Sequence, residues 1–110
     1  MKLEHLAQAL AKTENELRQE RASALGRAAQ VLEGLLTQLE TLRQAYGTIP
    51  VEERAAHIAE YTRVREQARY RYWCLLVQRE AIGLRDHREL ESAYRVPPPL
   101  APLPVPALPA

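Results

Sequence analysis

The chain has one cysteine, Cys74, in 110 residues. No intramolecular disulfide can form, nothing resembles a thiolate metal site, and a reducing compartment fits that usage. No stretch approaches the roughly 20 consecutive apolar residues that a membrane-spanning helix needs; the densest run is Tyr72-Trp73-Cys74-Leu75-Leu76-Val77. The opening segment MKLEHLAQALAKTENEL carries a charge every few residues and reads as neither signal peptide nor membrane span. We therefore expect a cytoplasmic protein that does not engage membranes. Charge of one sign is also missing: 15 Lys and Arg oppose 14 Asp and Glu, for a formal charge of +1. That balance gives no global attraction to nucleic acid or anionic lipid.

Catalytic patterns are missing as well. His5 and His57 have no second histidine or cysteine at ligand spacing, and His87 is flanked by carboxylates that a helix cap would occupy. No nucleophile is accompanied by a base in a recognised pattern, and there is no glycine-rich phosphate loop. The expectation is a non-enzyme with no metal and no cofactor. Cys74, inside the apolar run, reads as a buried small hydrophobe.

What is present is helical periodicity. Proline is absent from the first 49 residues, which are built from strong helix formers. Leu25, Ala28, Leu32, Leu35, Leu39, Leu42 and Tyr46 recur at alternating spacings of three and four. Leu3, Leu6, Leu10 and Leu17 make an upstream stripe with Thr13 as its polar member. The polar join from Arg18 to Ser23 shifts the register by an extra step of four, a stutter in coiled-coil terms. Gly26 and Gly34, each costing about 1 kcal/mol in a helix relative to Ala, point to close helix packing.

The segment Tyr46-Gly47-Thr48-Ile49-Pro50 ends the first helix and opens a second, from about Val51 to Ile82, with Gly83 as its terminator. The second helix should turn Val51, Ala55, Ile58, Tyr61, Val64, Ala68, Tyr72, Leu75 and Ile82 inward. Asp86 and Glu89 read as a capping box starting a short third helix, about His87 to Arg95. Residues 1–96 thus form a helical hairpin domain. Residues 97–110, which hold seven of the eight prolines, form a polyproline II or disordered tail.

At 1.5 Å per residue the first helix is roughly 67 Å long and the second roughly 48 Å, so about a dozen N-terminal residues overhang. A second subunit, the third helix or the tail must cover Leu3, Leu6 and Leu10. The apolar run Tyr72–Val77 also asks for neighbours on more than one side. We expect a homodimer forming a four-helix bundle, with a three-helix monomer as the rival fold. The fold class is all-α: a long antiparallel hairpin, a short third helix and a proline-rich C-terminal tail.

Three surfaces are candidates for partner binding. Trp73 is turned about 100° from the inward Tyr72 and should share a second contact face with Val77 and Leu84. Arg79, Arg85 and His87 converge with Asp86 at the corner around Gly83, either as a capped joint or as a recognition corner. Pro99 and Pro102, like Pro106 and Pro109, have the Pro-x-x-Pro spacing that docks in aromatic-lined grooves. The expected role is an adaptor or accessory protein that binds itself and another protein. Nucleic-acid binding is the alternative, since nine of the thirteen arginines lie from Arg54 to Arg95 and Arg69-Tyr70-Arg71-Tyr72-Trp73 interleaves cations with aromatics. Arg54, Arg63, Arg65 and Arg69 would carry it, unless Glu60 and Glu66 pair with them on a solvated face.

Ala22-Ser23-Ala24-Leu25-Gly26-Arg27-Ala28, the segment from Val77 to His87 and the Tyr94-Arg95-Val96-Pro97 junction together resemble a family of short, uncharacterised bacterial helical proteins. The resemblance covers about a third of the chain. It implies a bacterial cytoplasmic origin and adds no catalytic residue.

Overall fold

The computed structural model describes residues 2–104. Among them every regular element is helical. Helix α1 runs Lys2–Ala45, single 3₁₀ turns occupy Tyr46–Thr48 and Val51–Glu53, α2 runs Arg54–Ala81, and α3 runs Arg88–Ala93. Helices α1 and α2 pack antiparallel. Leu32 and Leu39, seven residues apart on α1, meet Tyr61, Val64, Ala68 and Leu75 of α2 in a common core, and Leu90 of α3 closes one end. Burying a leucine or valine this completely contributes roughly 1.5–3 kcal/mol each, which outweighs any propensity difference along these helices.

The reversal is held by side chains. His57 Nε2 lies 2.7 Å from the Leu42 carbonyl. A carbonyl only accepts, so Nε2 carries the proton and donates, supplying a partner near the C-terminal end of α1 where intrahelical donors run out. The His57 ring also stacks on Tyr46 at 5.8 Å with the planes 2° apart. Thr48 Oγ1 donates to the Ala45 carbonyl.

Several expectations change here. Val51 and Ala55 are exposed, not inward: the 3₁₀ turn at Val51–Glu53 advances about 120° per residue against 100° in an α-helix, and the stacked Tyr46–His57 pair fills the end of the hairpin. Gly26 and Gly34 are exposed, and a Cβ on either would meet nothing within 4 Å, so close packing is not their reason. The capping box does not form. Asp86 Oδ1 accepts from the Arg88 amide, and His87 occupies the N-cap of α3 without a side-chain cap bond. The first α3 bond runs from the Glu91 amide to the His87 carbonyl, so the helix starts one residue later than a box with Asp86 as cap requires. It also ends at Ala93, ahead of the expected Arg95.

Beyond Tyr94 the chain folds back along the hairpin. Inward and outward positions follow a period of three: Pro97, Leu100 and Leu103 are half-buried, while Pro98, Pro99, Ala101, Pro102 and Pro104 are exposed. Three residues per turn is the repeat of polyproline II. Prolines have no amide to donate but keep their carbonyls, and α2 supplies the donors. Arg65 Nε donates to the Pro97 carbonyl at 2.8 Å, Tyr61 Oη to Pro98 at 2.8 Å and Arg54 Nη1 to Pro104 at 3.4 Å. The Leu103 amide donates to Tyr46 Oη. Tyr94 Oη reaches across to donate to Glu33 of α1. The tail so far as Pro104 is a strap on its own domain; Pro106 and Pro109 lie outside the described residues.

Candidate interaction surface

Residues 70, 73 and 77 fall on one stripe of α2, and Leu84 follows the Gly83 turn. Trp73 is 59% exposed, Val77 44% and Leu84 42%. The Tyr70 ring packs on Trp73 at 6.3 Å, and the Arg71 guanidinium lies over Tyr70 at 5.9 Å. The rest of the apolar run is inward or half-buried, with Leu75 in the core, Tyr72 and Leu76 packed against it, and Cys74 half-buried where a fully buried side chain was expected. Among the described residues, no element covers Trp73.

Between this stripe and the α3–strap junction lies an open groove of about 520 Å³, where Trp73, Tyr72 and Tyr94 meet Arg65, Arg69 and Arg95 beside Glu91. The strap builds one wall, since Tyr94 and Val96 are held against the hairpin. The arginines are unequally engaged. Arg65 is tied to Pro97, and Arg69 reaches Glu66 at 3.3 Å from an exposed position. Arg95 is exposed and makes no hydrogen bond among the described residues. Burial, and secondarily the Glu91 charge, pushes the Tyr72 phenol above its usual pKa of 10. The Glu33 acceptor, then burial, does the same for Tyr94. Both phenols are therefore neutral donors at neutral pH.

The corner around Gly83 is a tied joint. The Gly83 amide bonds the Glu80 carbonyl and the Leu84 amide bonds the Arg79 carbonyl, the paired bonds of a Schellman motif. Gly83 has φ +90°, the left-handed region that the motif needs. Arg79 then donates to the Asp86 carbonyl at 3.1 Å and lies 3.4 Å from His87 Nδ1, while His87 Nε2 sits 3.1 Å from Glu80. Arg88 grips Asp86 and holds its carboxyl below the usual range. Arg79 and His87 are thus half-buried and spent on the joint, whereas Arg85 points to solvent. The basic stripe is similarly divided: Arg63 pairs with Glu60, and Arg54 holds both the Ile49 carbonyl and the strap.

Of the residues singled out from sequence, Trp73, Val77, Leu84, Arg85, Pro99 and Pro102 are exposed. Pro99 and Pro102 occupy the solvent side of the strap. Sequence reasoning missed Arg95, Tyr94 and Glu91 as groove residues. Their signal was the short α3, which doubles the chain back onto α2. No family model, no curated protein and no solved structure matches this chain.

Proposed function

We propose that the protein is a non-catalytic interaction module, an adaptor or accessory protein of the bacterial cytoplasm, and that it grips an acidic or mixed segment of another protein in the Trp73 groove. The observation that carries this reading is an uncovered tryptophan with the exposed Arg95 and the Glu66-paired Arg69 at its edges. Tryptophan and arginine dominate interface hot spots, because one fills a pocket with rigid apolar area and the other adds directional hydrogen bonds. The exposed Pro99–Pro102 edge offers a second contact on the same strap.

Trp73 is the only tryptophan, which makes the test direct. A protein retained from lysate by the parent and lost by Trp73→Ala should, once purified, shift Trp73 emission to shorter wavelength on binding. Truncation of this anchor should cost about 2 kcal/mol or more of binding energy. Equal retention by both forms would overturn the assignment of the groove.

Nucleic-acid binding is the second reading, favoured by the gathering of three arginines and three aromatics at one groove. It ranks lower because Arg54, Arg63 and Arg65 are already spent within the chain. Its signature is an affinity for single-stranded RNA or DNA that falls steeply with salt.

A further inference from the structure

Helix α2 ends against α1 at a cleft of about 250 Å³ where Gln78, Ala81 and Ile82 face Arg21, Ala24 and Leu25. Every residue from Lys2 to Ser23 is exposed. This overhang is longer than the dozen residues that the expected helix lengths give, in part because α2 has 28 residues. Along it, Leu3, Leu6, Leu10 and Leu17 lie bare, Leu3 at 80%.

That stripe continues the face already used by the hairpin. At 100° per residue, Leu3 and Leu10 lie roughly 20° and 40° from the direction of Leu32, and Leu17 lies roughly 40° from that of Leu39. Leu32 and Leu39 are fully buried under α2. The overhang is therefore a half-used helix–helix seam, interrupted only because its partner helix stops.

We infer that a second copy of this chain completes the seam, with the two overhangs packed antiparallel. The direction follows from where α2 ends. A parallel copy with its stripe against this one would bring its own α2 into the same space from Ala24 onward, with two helices competing for one groove. An antiparallel copy meets only the overhang, and its hairpin body leaves in the opposite direction. Layering the stripe on itself in this sense places Leu6 opposite Leu17 and Leu10 opposite Thr13, with the twofold axis between Leu10 and Thr13. An overlap of about 30 Å buries roughly 500 Å² per copy, about 1,000 Å² in total, the size of a weak, transient interface. The product is a concentration-dependent rod dimer, distinct from a four-helix bundle and independent of the Trp73 groove.

Cysteine cross-linking tests both existence and direction. In a Cys74→Ser background, chains carrying Leu6→Cys mixed with chains carrying Leu17→Cys should form a mixed disulfide dimer faster than either forms alone. Sedimentation equilibrium of the parent should show a monomer–dimer equilibrium that Leu10→Asp weakens about 100-fold and Trp73→Ala leaves unchanged, with the helicity of the hairpin retained in both. Faster pairing of like with like would establish a parallel seam and overturn the inference, as would a parent that stays monomeric at the highest soluble concentration. Loss of the dimer in Trp73→Ala alone would move the interface to the other face.

Discussion

The phenol of Tyr61 donates to the carbonyl of Pro98 across 2.8 Å from a side chain with no exposed surface. One residue therefore serves two packings, with its ring in the α1–α2 core and its hydroxyl on the strap. Tyr61→Phe keeps the ring and removes the donor. We expect a stability loss of about 1 kcal/mol, since an exposed Pro98 carbonyl regains water. Limited proteolysis after Tyr94 should quicken while the melting transition of the hairpin stays cooperative.

Burial raises the Tyr61 pKa above 10, and the Glu33 acceptor raises that of Tyr94. A phenol whose folded pKa exceeds its unfolded one stabilises the fold fully below the unfolded value, and that stability is lost as pH rises through the folded value. The strap should thus be insensitive across neutral pH and detach above about pH 10. Phenolate absorbance followed against circular dichroism checks this. In Tyr61→Phe combined with Tyr94→Phe, the alkaline loss of strap protection should vanish.

Gly83 has φ +90°, and an added Cβ would meet no atom within 4 Å. Gly83→Ala therefore isolates the backbone cost of the left-handed region, about 1–2 kcal/mol. Thermal unfolding should register that loss, and the proton on His87 should exchange faster in NMR spectra as the Arg79–His87–Glu80 joint loosens. An unchanged melting temperature would show that the Schellman turn contributes nothing.

The hairpin was legible because Leu25 to Tyr46 and Tyr61 to Leu75 keep helical spacing long enough for burial to follow period alone. Trp73 was legible as an outward residue by the same geometry, being one position away from an inward Tyr72. Helix ends were less so. Asp86 and Glu89 have the spacing of a capping box, yet Arg88 captures Asp86 at 2.7 Å and the helix begins one residue on. The docking of the tail required two coincident patterns, apolar or proline residues every third position in 97–103 and the donors Arg54, Tyr61 and Arg65 on one face of α2. Neither announces the other in a one-dimensional reading. Arg54 and Arg65 looked like a surface for phosphates because the strap carbonyls that they hold, Pro104 and Pro97, lie more than thirty residues away.

From Pro97 to Pro104 only Leu100, Ala101 and Leu103 own an amide hydrogen, and that of Leu103 is given to Tyr46. An extended segment lying along a protein surface ordinarily presents a strand edge, open to any passing chain with a compatible backbone. This one has acceptors turned toward α2 and too few donors to continue a ladder. It therefore cannot seed a sheet. A protein that carries exposed leucines and an exposed tryptophan thereby keeps this extended stretch out of the chemistry of aggregation.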